Sequence, residues 1–110
     1  MKQYVIDDIG QADYEKIRNY LDENFKDAAM DGIYWIPINE DLLDEIQKEH
    51  DECHPFYFAV EALPERIVFE LLVRTKCRMR CDCMKYASES QRNWLISSVD
   101  SILQKLEIVA

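Results

Sequence analysis

The stretch Phe69–Tyr86, FELLVRTKCRMRCDCMKY, decides much of the fold because its residues alternate between two kinds. Every second position is apolar, a threonine or a cysteine: Phe69, Leu71, Val73, Thr75, Cys77, Met79, Cys81 and Cys83. Most of the intervening positions are charged. A period of two is typical of a β-strand with one buried face. We therefore predict β-structure here and interpret the cysteines first as core residues.

This stretch is too long for one strand, since strands usually run to about 10 residues. We predict a turn of odd length at Lys76–Arg78. An odd turn places Cys81 opposite Val73 and Cys83 opposite Leu71 on the core face. An even turn would bury Arg80 and Asp82 there, which costs free energy.

The preceding residues predict a β-hairpin of Phe56–Leu63 and Arg66–Val73, with Pro64 at the second position of the turn. A four-residue loop predicts four apolar cross-strand pairs. These pairs are Ala62–Ile67, Val60–Phe69, Phe58–Leu71 and Phe56–Val73.

Two more strands and three helices are predicted from spacing and capping residues. The strands are Gln3–Asp7 and Ile33–Ile38, and the helices are Gln11–Phe25, Asn39–Cys53 and one capped by Ser88 and Gln91. The middle helix is expected to bury Leu43, Ile46, His50 and Cys53. Pro37 indicates that its strand lies at a sheet edge or is near its end at this residue.

The elements follow the order (β)αβαβββα in one domain, residues 1–110. We expect an α+β two-layer sandwich, with an antiparallel sheet of four to five strands and helices on one face.

Composition excludes several classes of protein. The net charge is −9, and the excess acid lies in the first half of the chain, so nucleic acid and anionic membranes are not expected partners. No signal peptide or apolar membrane segment is recognised, which predicts a cytoplasmic protein with reduced thiols. No glycine-rich phosphate loop or nucleophile elbow is present, so a cofactor or catalytic site is not expected.

The cysteines and histidines offer one alternative. His50, Cys53, His54, Cys81 and Cys83 supply enough soft ligands for a tetrahedral metal site, although their spacing matches no zinc motif that we can justify. The segment His50–His54 approximates H-E-x-x-H, but Asp51 replaces the glutamate and Pro55 disturbs the helix. Inert core thiols, a metal site and a redox site therefore remain open, and Cys77 is the thiol most activated by basic neighbours.

Arg74, Lys76, Arg78 and Arg80 form a basic stripe that could contact an anion or a partner. Pairing with nearby acids, or with an acidic helix of a second copy, is the simpler interpretation.

The favoured function is therefore a small non-catalytic binding or adaptor protein that acts through protein–protein contacts, and a homodimer falls within this expectation. Small acidic α+β domains also serve as secretion chaperones, so a chaperone-like role falls within this expectation. The alternative is a metal- or redox-responsive thiol protein using Cys53, His54, Cys81 and Cys83.

Overall fold

A computed structural model describes residues 2–25, 32–49, 53–75 and 85–109. Its four strands are β1 (Gln3–Ile6), β2 (Ile33–Pro37), β3 (Phe56–Leu63) and β4 (Arg66–Thr75). Its helices are α1 (Gln11–Asn24), α2 (Glu45–Glu49) and α3 (Glu89–Lys105), with a 3-10 turn at Glu40–Leu42. The strands form one antiparallel sheet in the order β1-β4-β3-β2. The predicted α+β fold is confirmed.

The core lies between one face of this sheet and the two longer helices. Phe58, Val60 and Val73 are fully buried on that face. Ile17 and Leu21 of α1 belong to the same cluster, as do the α3 residues Leu95, Val99 and Leu103. The period-two strands and the helical stripes thus bury their apolar sides against each other, as expected for a two-layer domain.

The register of the β3–β4 hairpin corrects part of the prediction. Ala62–Ile67 and Val60–Phe69 pair as expected, but Phe58 faces Val73 and Phe56 faces Thr75. The register shifts by two residues opposite Ala59, and Leu71 has no partner on β3. Because the shift is even, every side chain keeps its face and the apolar pattern is preserved.

The segment after β4 also differs from the expected register. Leu72 forms an isolated antiparallel bridge with Tyr86, and the Val73 N–H donates to the Lys85 carbonyl at 2.9 Å. Lys85 and Ala87, rather than the predicted Cys81 and Cys83, therefore oppose Val73 and Leu71. The predicted turn and its neighbours, residues 76–84, lie outside the described residues.

The predicted helix Asn39–Cys53 is interrupted. Asn39 caps only the 3-10 turn, Leu43 is extended, and α2 begins at Glu45. Asp44 restarts the helix because its carboxylate accepts the Gln47 N–H at 2.8 Å while the Gln47 amide oxygen accepts the Asp44 N–H at 3.1 Å. This capping box rotates the helix, so Gln47 is buried and Ile46 is exposed, against the prediction.

No helix within the described ranges is both long and apolar enough to span a membrane.

Candidate functional site

The sheet face opposite α1 and α3, here called the outer face, has an apolar composition. Strand pairing and alternation place fourteen residues on it: Gln3, Val5, Ile33, Trp35, Pro37, Tyr57, Ala59, Glu61, Leu63, Arg66, Val68, Glu70, Leu72 and Arg74. Nine of these are apolar or aromatic. A solvated face of an antiparallel sheet is normally polar, so this composition is suited to contact with another surface.

Two aromatic rings stand together on the outer face. Trp35 and Tyr57 are diagonal neighbours on β2 and β3, and their centroids lie 5.3 Å apart at an interplanar angle of 85°. Both are only partly buried, and Val5 on β1 is 40% exposed. Rigid aromatic side chains with partial exposure are the residues that most often anchor protein interfaces.

The charges on the outer face balance. Arg74 donates from Nε and Nη2 to Glu70 Oε2, at 3.0 and 2.8 Å. Glu61 and Arg66 are the other charged members of the face. The predicted contact residue Arg74 thus lies on the face but is already paired with an acid. The rest of the predicted basic stripe, Lys76, Arg78 and Arg80, lies outside the described residues.

The edge strand β2 presents a proline to its outer side. Between β2 and its neighbour β3, the Ala62 N–H donates to the Gly32 carbonyl and the Ile38 N–H donates to the Phe56 carbonyl. Even-numbered residues of β2 therefore direct their backbone groups towards β3, and odd-numbered residues direct theirs outward. Pro37 lacks an outward N–H, which hinders the addition of another strand at that end.

A second group of polar residues joins the two capping boxes in the interior. Gln91 is 1% exposed, and its side-chain nitrogen donates to the Leu42 carbonyl at 3.0 Å and to Gln47 Oε1 at 2.9 Å. Gln91 Oε1 accepts the Ser88 N–H, which completes the capping box predicted from sequence. All partners of this amide belong to the protein, so the group holds α2 against α3 and leaves nothing to bind a ligand.

Asp44 extends this group to the surface. Its carboxylate lies 2.5 Å from Lys85 Nζ. Burial raises the pKa of Asp44, but the hydrogen bond from Lys85 and the Gln47 N–H outweigh burial and hold that pKa below its usual value. The ion pair therefore tethers the segment before α3 to the start of α2.

Tyr34, Arg18 and Asp22 form a hydrogen-bonded group, here called the tyrosine cluster, between α1 and β2. The Tyr34 hydroxyl donates to Asp22 at 2.5 Å and accepts from Arg18 Nε at 2.8 Å. Burial and the hydrogen bond to Asp22 raise the pKa of Tyr34, while Arg18 acts in the opposite direction. The phenol therefore stays protonated at neutral pH and is not a catalytic base.

A cavity of about 410 Å³ lies between the start of α1 and the β3–β4 turn. Ile9, Tyr14 and Pro64 form its apolar wall, and Glu15 and Glu65 supply carboxylates. The first N–H groups of α1 favour an anion there while the carboxylates favour a cation. The cavity therefore selects neither sign of charge and is a weak candidate for a ligand site.

The described part of the predicted metal site is Cys53 and His54. Cys53 is 2% exposed and belongs to the core, and the Thr75 hydroxyl donates to its carbonyl oxygen. His54 Nε2 lies 2.6 Å from the Gln47 carbonyl oxygen, which can only accept, so this nitrogen donates the hydrogen bond. His50, Cys77, Cys81 and Cys83 lie outside the described residues. Among the described residues no cluster of three or more His, Cys, Asp or Glu side chains could hold a metal ion.

The outer face was not predicted as a binding surface, because the alternation was used to find the buried side of each strand. The signal was present in Trp35, Tyr57, Val68 and Leu72, which occupy positions where a solvated strand carries polar residues. Comparisons with family models, with curated proteins and with solved structures found no match.

Proposed function

We propose that this protein is a non-catalytic, cytoplasmic binding domain that acts through protein–protein contacts, and that the outer face is its binding surface. The observation that carries the proposal is the apolar outer face with its paired rings Trp35 and Tyr57. Aromatic anchors that are rigid before binding lose little conformational entropy on association. Self-association into a homodimer and a chaperone-like role both fall within this proposal.

The proposal is supported by how the other polar groups are used. Within the described residues every buried side-chain nitrogen and oxygen has a hydrogen-bond partner. Catalytic sites usually retain titratable groups with perturbed pKa values that converge on a cleft. Here the glutamine pair and the tyrosine cluster are engaged within the protein, which favours binding over catalysis.

Site-specific photocrosslinking in the native host tests the binding surface. A benzophenone amino acid replaces Tyr57 on the outer face or, as a control, Tyr20 on α1, which is also partly buried. We expect one recurrent protein adduct from position 57 and none from position 20. The adduct should disappear when Trp35→Ala is added. No adduct from position 57, or equal adducts from both positions, would contradict the proposal.

The thiol site of Cys53, His54, Cys81 and Cys83 is a second candidate function. The observation that favours it is the hydrogen bond from His54 Nε2 to a backbone carbonyl, because metal-ligating histidines are oriented in this way. Elemental analysis of protein purified without an affinity tag tests it. Zinc or iron near one equivalent, lost in a Cys81→Ser, Cys83→Ser variant, supports the site. Less than about a tenth of an equivalent, with thiols that react only after denaturation, supports inert core cysteines.

A further inference from the structure

We infer that the outer face binds the outer face of a second copy of this chain, forming a two-fold symmetric sheet-on-sheet dimer. This inference rests on the proposed function and names its partner. A self-complementary patch is the requirement for a two-fold interface, since each residue must fit the same surface turned around. Charge, size and the blocked strand edge all favour this arrangement.

The charge balance of the outer face favours a second copy. Among the described strand residues of the outer face, Glu61 and Glu70 are matched by Arg66 and Arg74, so these residues carry no net charge although the chain carries −9. Two copies that met through most other surfaces would bring like charges together. Through the outer face each copy meets strand residues whose charges balance, and the surplus acid elsewhere is screened beyond about 8 Å at physiological salt.

The absence of net charge also argues against a charged foreign partner. Electrostatic complementarity selects and steers a partner that carries the opposite sign. A strongly basic or acidic protein gains nothing from a neutral face.

The dimension of the face fits a small interface. Four strands about 4.8 Å apart and up to about 25 Å long cover roughly 500 Å² of sheet in projection. Two such faces bury on the order of 1,000 Å², which is at the lower limit of specific interfaces. We therefore expect a reversible dimer with a dissociation constant on the order of micromolar rather than a permanent assembly.

The other geometry for joining two sheets is pairing of edge strands. At the β2 edge Pro37 presents no outward N–H, so a continuous ladder cannot extend along the whole strand, and the β1 edge is only four residues long. Face-to-face packing avoids this obstacle because it uses side chains rather than backbone groups.

Sedimentation equilibrium of the purified chain between about 1 and 200 µM tests the inference. Val5→Glu adds a negative charge at the border of the outer face. Ile46→Glu adds the same charge on α2 and is the control, because the two residues are 40% and 41% exposed. We expect the wild type and Ile46→Glu to form a dimer with the same affinity, and Val5→Glu to weaken dimerisation at least tenfold. Circular dichroism and thermal unfolding confirm that each variant is folded.

A second measurement does not depend on the charge variants. In a Trp94→Phe background Trp35 is the remaining tryptophan, because the chain contains two. Its emission should shift to shorter wavelength over the same concentration range as the dimer forms. An unchanged spectrum during dimerisation would overturn the assigned face.

The outcomes separate this inference from the proposed function. If the protein stays monomeric up to about 200 µM, or if Ile46→Glu breaks the dimer and Val5→Glu does not, the outer face does not bind a second copy. If position 57 still crosslinks one other protein in the host, the proposed binding function stands without the dimer. If neither a dimer nor an adduct forms, the dimer inference and the proposed binding function both fail.

Discussion

Individual residues contribute most to the stability of this protein where one side chain forms hydrogen bonds with several buried polar groups. Gln47 and Gln91 each close a capping box and then bond to each other at 2.9 Å. A buried amide in such a network is worth more than an exposed one because water cannot replace its partners.

Gln91→Met tests this network. Methionine has a similar volume but no donor, so the Leu42 carbonyl and the Gln47 amide oxygen would each lose a partner. We expect the free energy of unfolding to fall by about 2 kcal/mol in denaturant titration. Arg92→Met, at the exposed next position, should change it by less than about 0.5 kcal/mol. Equal effects would mean that the buried bonds contribute nothing specific.

The Asp44–Lys85 ion pair predicts a pH dependence. The pKa of Asp44 is lower in the folded than in the unfolded protein, so its contribution is present above the unfolded value of about 3.9 and is lost as pH falls through the folded value. Lys85→Met should therefore lower stability at pH 7 by up to about 1 kcal/mol, since both groups are partly exposed. The difference from wild type should shrink below about pH 4.

Lys48→Met, an exposed lysine on α2, is the control for this variant. Its effect should be small and should not follow the same acid profile. A Lys85→Met effect that persists unchanged in acid would show that packing of the lysine stem, and not the charge pair, stabilises the segment.

Glu107 occupies a position that favours glycine. Its φ is 59°, and it lies just after the end of α3. The Glu107 N–H donates to the Gln104 carbonyl, and the Ile108 N–H donates to the Leu103 carbonyl. This arrangement is the Schellman motif, in which a residue other than glycine is strained. Glu107→Gly should raise the unfolding free energy by about 0.5–1 kcal/mol in thermal or denaturant unfolding. Glu89→Gly, within the first turn of α3, should lower it by a similar amount.

At the scale of the elements, β2 is one of the two edge strands of the sheet, and its exposed edge must be protected. It is short, it lies at the edge of the sheet, and Pro37 removes one outward donor. Natural edge strands are protected in this way because an open edge pairs with other chains.

Pro37→Val tests that protection. The variant supplies an outward N–H and a residue that favours strands, so we expect species larger than a dimer at concentrations where the wild type forms none. Size-exclusion chromatography with light scattering measures the effect. Pro64→Val, in the β3–β4 turn, is the control and should not add oligomers. Larger species in the Pro64 variant alone would show that partial unfolding, rather than the edge, drives association.

At the scale of the whole molecule, the net charge of −9 opposes the compact state. Raising sodium chloride from about 20 to 500 mM should increase the unfolding free energy by on the order of 1 kcal/mol, because screening weakens repulsion among the acids. The measurement is made at a protein concentration well below the dissociation constant of the proposed dimer. Glu40→Lys with Asp41→Lys changes the net charge to −5 and should reduce the salt effect. A fall in wild-type stability with salt would mean that ion pairs outweigh repulsion.

The local patterns of this chain determined its fold class. The bounds of β3, the Ser88–Gln91 capping box and the core residues Leu95 and Val99 follow from turn, cap and periodicity rules that operate within a few residues. For the same reason Pro37 indicated either an edge position or the end of its strand, and the structure shows both for β2.

Only the tertiary structure decided features that depend on partners far apart in sequence. The two-residue shift opposite Ala59 leaves the alternation intact, so the sequence pattern is the same with and without it. The break before α2 depends on Asp44 and Gln47, whose capping box competes with the Asn39 cap and is supported by Gln91, 44 residues away. The apolar outer face emerged only when four strands were placed side by side, because periodicity shows that a strand has two faces but not which contacts will cover each.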